Sequence, residues 1–114
     1  MKFHLEMIEE NDVSKQINIR SEVLAEASAL ITGQRAIDYG SAHENFGCIA
    51  AMWSAYLGYP VTASDTCHMM ALLKIARLRN GKHRDSSCDG AGYLALGAEV
   101  SEDEGKTHHQ PFGK

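Results

Sequence analysis

Long apolar stretches are missing from this sequence. No run approaches the roughly 20 apolar residues that a membrane-spanning helix needs. The first residues, MKFHLEMIEENDV, turn acidic after a few positions, whereas a signal peptide continues into an apolar core. We therefore expect a cytoplasmic protein that neither enters a membrane nor carries a secretory signal.

An excess of positive charge is also missing. The chain has 11 lysines and arginines against 15 aspartates and glutamates, which gives a net charge of −4. Proteins that bind nucleic-acid backbones or acidic membranes usually present a basic face. The balance argues against generic binding of either kind, although a locally basic pocket stays compatible with it.

The chain has few cysteines, and their spacing fits no common motif. There are three, Cys48, Cys67 and Cys88, which is an odd number, and no pair has the CxxC spacing of a redox or zinc motif. This pattern predicts three reduced thiols. Cys67 is followed by His68, but neighbours on a helix point apart, which argues against a catalytic cysteine–histidine pair.

The common short catalytic motifs are absent as well. The histidines form neither HxxxH nor HExxH, so a zinc enzyme of that type is not indicated. No phosphate-binding GxxxxGK[ST] loop, no GxGxxG and no GxSxG motif occurs. The sequence therefore excludes several large enzyme classes before any element is assigned.

What the sequence does contain is helical periodicity with clear capping residues. It predicts a compact all-α four-helix bundle formed by one domain over residues 21–100. A flexible N-terminal arm would cover residues 1–20, docked on the body or on a second subunit, and a disordered tail 101–114. The predicted helices span Ser21–Thr32, Ala42–Leu57, Thr62 to Asn80, and Asp85 to Ala98.

The third predicted helix is the most apolar part of the chain. Its stretch Cys67–Arg79 reads CHMMALLKIARLR and is apolar on nearly every side, which is typical of a helix with neighbours on several faces. Lys74 and Arg77 interrupt it on adjacent turns. Because cations are rarely buried without partners, we expect anionic groups nearby, either carboxylates of the protein or phosphates of a ligand.

Acidic residues supply one candidate site. Asp85 and Asp89 lie four residues apart on one helical face, and with Glu44 and Asp38 they could form an oxygen site of the kind that Mg²⁺ prefers. The alternatives are solvated charges, or ion pairs of Asp85 and Asp89 with the two cations. Glu44 is equally explained by a capping box with Ser41.

Several separated motifs carry a resemblance to known families. They are ALITGQRAIDYG over 29–40, Glu44-Asn45-Phe46, Trp53, MMALLKIARL over 69–78, and His83-Arg84-Asp85-Ser86 followed by Asp89, Gly92 and Tyr93. With these motifs, over residues 21–100, the chain resembles a family of small bacteriophage and prophage helical proteins of unassigned function. It is also similar to the phage nucleotide-modification-associated domain, and more loosely to MazG-like all-α nucleoside triphosphate pyrophosphohydrolases.

The resemblance implies a phosphorylated nucleotide, or another phosphorylated small molecule, as ligand and Mg²⁺ as cofactor. Glu44, Asp85 and Asp89 would then be metal ligands, with Glu44 and Asp89 catalytic. Lys74 and Arg77 would hold phosphates. The expected ligand-binding residues are completed by Asp38, Tyr39, His43 and Tyr93.

The match departs from the MazG pattern at two places. The second predicted helix has His-Glu-Asn-Phe where two glutamates three residues apart are expected, and the fourth has Asp85-x-x-x-Asp89 in place of Glu-x-x-Asp. Two functions therefore stay open. One is an Mg²⁺-dependent nucleoside triphosphate pyrophosphohydrolase in the host cytoplasm. The other is a non-catalytic protein that sequesters a nucleotide or inhibits a host enzyme, against host defence. A homodimer is expected in both cases, because a small domain can bury its remaining apolar face in a copy of itself.

Overall fold

The computed structural model describes the backbone of residues 2–107 and the side chains of residues 12–34, 36–38 and 40–105. The all-α prediction is confirmed: within residues 2–107 every regular element is helical. No helix there is long and apolar enough to cross a membrane. The elements are α1 Lys2–Thr32, α2 Gln34–Tyr39, α3 Ala42–Leu57, α4 Ala63–Arg77, a 3-10 turn Leu78–Asn80, and α5 Arg84–Thr107.

Helices α3 and α4 form a hairpin whose ends follow from local chemistry. Gly58 ends α3 with a φ of 68°, a backbone conformation that glycine adopts without strain. Thr62 begins α4 as half of a complete capping box with Asp65. Between them, the hydroxyl of Ser54 bonds both the N–H and the carbonyl of Val61, at 2.8 and 3.2 Å, which fixes the angle of the link.

Three elements differ from the sequence-based expectation. Helix α1 begins at Lys2 and not at Ser21, so the predicted arm is helical, with the side chains of 12–22 exposed. The predicted connection 34–41 contains the short helix α2, and Gly40 after it takes the expected positive φ of 75°. Helix α5 continues beyond Ala98 to Thr107, so the predicted tail is helical over 101–107, while residues 108–114 lie outside the described part of the chain.

Among the described helices, α4 and α5 share the most extensive contact. Glycines on α5 let the two helices approach, since a Cβ on Gly97 would come within 3.2 Å of the Cβ of Cys67. The core consists of Phe46, Ala63, Cys67 and Val100. At the end of α5, the carboxylate of Glu104 accepts hydrogen bonds from the backbone N–H and hydroxyl of Ser64, at 2.9 and 2.6 Å.

Helix α1 packs on the other side of α5, and α3 packs on α4, whereas α3 and α5 touch only sparsely. The four long helices therefore form an open array with a cleft between α1, α3 and α5, floored by α4. The array is also elongated, at 65 × 29 × 26 Å, because α1 is far longer than its neighbours.

The apolar helix α4 is covered on one side only by the rest of the chain. Cys67 and Ala71 are buried, and Lys74 is half-buried on the same stripe. On the opposite side Met69, Leu72 and Leu73 remain 40%, 62% and 53% exposed. Helix α4 thus has neighbours on the faces toward α3 and α5, as its apolar sequence predicted. Its outer face is exposed to solvent in the single chain.

Candidate ligand-binding cleft

The cleft between α1, α3 and α5 has a volume of about 660 Å³. Helix α1 and the turn after α2 contribute Leu30, Ile31 and Gly40, and α4 contributes Met70 and Lys74 from below. This size and position, between the helices of a bundle, are typical of small-molecule sites. The cleft is the candidate functional site of the described chain.

Aromatic side chains form much of its wall. Phe46 and Trp53 project from α3 because they lie seven residues apart on one helical stripe. Tyr93 projects from α5, and its ring meets that of Phe46 edge to face, with centroids 6.2 Å apart and planes at 79°. Flat apolar walls of this kind suit a planar ring such as a nucleobase.

A single ion pair marks the polar end of the cleft. Nζ of Lys74 lies 3.1 Å from Oδ2 of Asp89, with the two side chains 15% and 34% exposed. The spacing of the acids on α5 and the cations on α4 left the partner of Lys74 open between carboxylates and phosphates. In the structure the partner is Asp89.

The other predicted phosphate contact and metal ligands lie elsewhere. Arg77 is exposed and outside the cleft, one turn beyond Lys74. Asp85 lines a smaller neighbouring cavity together with Asp89, Glu26 and Cys88. Glu44 is exposed at the start of α3, where its backbone N–H donates to the Ser41 hydroxyl at 3.3 Å.

The predicted three-carboxylate metal site is therefore not assembled. Over the part of the chain that the structure describes, no group of three His, Cys, Asp or Glu side chains is arranged to hold a metal ion. Asp89, the acid in the cleft, is paired with Lys74. The residues present do not fit the magnesium site that the resemblance implies.

Of the remaining predicted ligand contacts whose side chains the structure describes, Tyr93 lines the cleft and Asp38 and His43 do not. Asp38 accepts a hydrogen bond at 2.9 Å from the amide of Gln34 on the exposed side of α2. The side chain of Tyr39 lies outside the described set. His43 is half-buried beside the cleft wall, not in it, and its Nδ1 is buried without a hydrogen-bond partner.

Three polar residues of the cleft were not among the candidates. Ser41 lies just before α3, Asn45 lies on α3, and Glu99 lies on α5. Asn45 precedes the predicted core residue Phe46 and lies one turn before Ile49, so its position on the cleft side of α3 could have been predicted from the helical periodicity. Glu99 lies just beyond the predicted end of the last helix, so the helical periodicity did not assign it to a face.

A second polar network joins α1 to α5 behind the smaller cavity. Arg84 donates to Glu22 and Glu26 at 3.0 and 2.9 Å, and the buried thiol of Cys88 donates to Glu26 at 3.0 Å. The thiol and the guanidinium lower the pKa of Glu26. The same carboxylate, together with burial, raises the pKa of Cys88. This network holds α1 in place along one wall of the cleft.

The cleft presents several groups that can contact a ligand. They are the aromatic faces, the ammonium group of Lys74, the amide of Asn45, the hydroxyls of Ser41 and Tyr93, and the carboxylates of Asp89 and Glu99. The two thiols nearest to the core are poor nucleophiles, because burial raises the pKa of Cys67 to about 11 and Cys88 is held by Glu26.

Residues 22–101 match the profile of a family described as a domain of unknown function, DUF6378. The chain belongs to this family. The DUF6378 match begins where α1 joins the body and includes every residue named in the cleft wall. The cleft is thus a feature of the matched domain itself.

Two proteins similar to this chain come from bacteriophages. The chain is 49% identical to the Gene 55 protein of Mycobacterium phage L5 over 76 residues, which are 65% of this chain and 49% of that protein. It is 42% identical to the Gene 55 protein of Mycobacterium phage D29 over 82 residues, or 71% and 54% of the two chains. The chain thus spans about half the length of each. The predicted resemblance to small phage proteins is confirmed. No solved structure matches.

Proposed function

We propose that this phage DUF6378 chain is a nucleotide-binding protein that holds its ligand without cleaving it. The observation that carries the proposal is the position of Lys74, whose half-buried ammonium group stands beside the aromatic wall of a cleft of nucleotide size. A planar base and an anionic tail need these two features at neighbouring points.

The cleft suggests how each part of the ligand is held. The base lies against Trp53 and the Phe46–Tyr93 pair, and the amide of Asn45 can both donate to and accept from its polar edge. The phosphate lies at Lys74. Because that ammonium group already bonds Asp89, an incoming phosphate competes with the carboxylate for it.

Binding without turnover is supported by the carboxylates. The acids expected to act together lie apart, with Glu44 exposed on α3 and Asp89 committed to Lys74. A protein of this kind in the host cytoplasm would sequester a nucleotide, either a signal used in host defence or a precursor that accompanies DNA modification.

Calorimetry with a panel of nucleoside mono-, di- and triphosphates, with and without Mg²⁺, tests the proposal. Lys74→Met removes the charge and retains most of the stem, and we expect it to weaken binding at least tenfold. Arg77→Met is the matched control, since Arg77 lies one turn away outside the cleft, and it should bind like the wild type. Equal losses in the two variants, or no binding by the wild type, would overturn the proposal.

A second candidate is the MazG-like, Mg²⁺-dependent pyrophosphohydrolase. It rests on the carboxylates of Glu26, Asp85 and Asp89, which line the smaller cavity together, although in the described chain they are not arranged as a metal site. Release of pyrophosphate from a nucleoside triphosphate by the wild type, abolished in Asp89→Asn, would support this candidate over simple binding.

A third candidate is inhibition of a host enzyme through a protein contact. It predicts a stable complex with a host protein and no nucleotide binding.

A further inference from the structure

One face of the α3–α4 hairpin is apolar and turned away from the cleft. On α3 it comprises Cys48, Ala51 and Ala55, which recur on the helical side opposite Phe46 and Trp53. On α4 it comprises Met69, Leu72, Leu73 and Ala76, opposite the stripe that packs on α5. All seven residues are exposed. We refer to this set as the hairpin face.

The hairpin face carries no charge along its length. Between Glu44 and Asp65 the chain has no charged residue, and between Asp65 and Lys74 it has only His68. The charged residues stand at the ends of the hairpin, at the helix starts and in the last turns of α4. A solvent-exposed helix surface normally carries charged and polar residues. The hairpin face lacks charged residues, which is unusual for a surface in contact with water.

The exposed apolar surface of the hairpin is large for a single chain. Met52 borders the face and is 59% exposed, and Tyr56 and Ile75 on the adjoining sides of the two helices are 91% and 55% exposed. Together with Met69, Leu72 and Leu73 they leave on the order of 600 Å² uncovered. This is at the upper end of the apolar patches on monomers and approaches the roughly 800 Å² that each partner buries in a standard interface.

The shape of the face complements itself. The small side chains of α3 leave a shallow trough, and the larger side chains of α4 form a ridge next to it. When two copies meet about a two-fold axis, the ridge of each can enter the trough of the other. Such isologous contacts need a self-complementary surface, and an uncharged one avoids like-charge repulsion between identical copies.

We infer that the hairpin face is the contact between two copies of this chain, formed by packing α4 of each on α3 of its partner. A charged partner such as a nucleic acid or an acidic peptide would find no opposite charge on this face, whereas a second copy brings the same uncharged ridge and trough. The cleft lies on the opposite side of the hairpin, so the contact leaves both clefts of the dimer open. The inference stands independently of what the cleft binds.

Light scattering behind size-exclusion chromatography tests the contact on the full chain at tens of micromolar. We expect the wild type to have twice the 12.5 kDa mass of one chain. Leu72→Glu places a charge in the ridge and should halve that mass. Leu94→Glu is the matched control, because Leu94 is similarly exposed, at 54%, but lies on α5 outside the face. It should remain dimeric.

A second variant and a second readout keep the test independent of misfolding. Ala51→Arg fills the trough at an exposed helical position and should also give a folded monomer, as judged by circular dichroism. Alkylation of Cys48 should slow with rising protein concentration in the wild type and not in Leu72→Glu. A monomeric wild type, a dimer that survives both face variants, or equal dissociation of Leu94→Glu would overturn the inference.

Discussion

Lys74 on α4 and Asp89 on α5 form an ion pair, 3.1 Å from Nζ to Oδ2, within the wall of the cleft. The pair neutralises the cation that an anionic ligand would use. It also ties the floor of the cleft to one of its walls. A ligand phosphate would compete with Asp89 for Lys74. If Asp89 competes in this way, its removal should strengthen ligand binding, whereas removal of a metal ligand should weaken it.

Asp89→Asn should tighten the binding of a nucleoside phosphate. The substitution removes a competing negative charge while its amide can still contact Lys74, and a gain on the order of tenfold, or about 1.4 kcal/mol, is expected. Calorimetry measures it. Asp85→Asn, one turn earlier and outside the cleft, is the control and should change little. A loss of affinity in Asp89→Asn that appears only with Mg²⁺ would favour the metal-ligand role instead.

Gly97→Ala should destabilise the chain. A Cβ there would stand 3.2 Å from the Cβ of Cys67 and 3.0 Å from Nε2 of His68. The exposed histidine ring can turn aside, but the buried Cys67 cannot, so we expect a cost of about 1–3 kcal/mol from overpacking, reduced by the better helix propensity of alanine. Urea denaturation measures the free energy of unfolding.

Gly105→Ala is the control for that substitution. It lies in the same helix with no heavy atom within 4 Å of the added Cβ. It should be neutral or stabilise the chain by about 0.5–1 kcal/mol. If both alanine variants were equally stable, close packing of α4 on α5 would not explain the glycine at 97.

The hydrogen bond between Cys88 and Glu26 should make the free energy of unfolding depend on pH in the acid range. Hydrogen bonds from the Cys88 thiol and from Arg84 lower the pKa of Glu26 below its ordinary value of 4.5. The folded state therefore gains stability that is fully present above pH 4.5 and is lost as the pH falls through the lowered pKa. Urea titrations from pH 7 to pH 3 should show wild type and Glu26→Gln converging in acid.

Glu44→Gln provides the comparison for the pH series. Glu44 is an exposed carboxylate on α3, outside the network of Arg84. At pH 7 its free energy of unfolding should lie closer to that of the wild type than the value for Glu26→Gln does. A constant difference between Glu26→Gln and the wild type down to pH 3 would contradict the role given to Glu26.

The three thiols should react with an alkylating reagent at different rates. Cys48 is exposed, whereas Cys67 and Cys88 are buried. With a pKa of about 11, only about one Cys67 thiol in a thousand is ionised at pH 8. Mass spectrometry of a time course in dilute solution should show one rapid modification at Cys48. Early labelling of Cys67 would contradict the packing of α4 against α5.

Capping chemistry explains which elements could be predicted. The bounds of α3 and the start of α4 follow from Ser41, Gly58 and the Thr62–Asp65 box, whose local bonds the structure contains. The start of α1 could not be placed, since Asn11 and Asp12 favour turns and nothing nearby signals that the helix continues through them. The end of α5 could not be placed from the sequence either, because the segment from Ser101 is polar and contains glycine, histidine and proline. The hydrogen bonds that Ser64 donates to Glu104 depend on tertiary structure.

The cleft was predictable only in part, for a related reason. The sequence indicated Lys74 and Tyr93 as site residues, and both lie in the wall. The sequence could not show that Asn45, and not His43 or Glu44, lines the cleft. Successive residues of a helix point about 100° apart, and only the packing of the neighbouring helices decides which of them faces the cleft. The gap between α3 and α5 is a property of packing that no single segment encodes.

The bond between Glu104 and Ser64 bears on how short this protein can be made. The family match stops at residue 101, yet the carboxylate that bonds the first turn of α4 comes after it. A chain trimmed to the matched residues would leave the Ser64 N–H and hydroxyl to water and loosen the junction of two helices that carry the core. The folded domain thus extends about one helical turn beyond residue 101, where the family match ends.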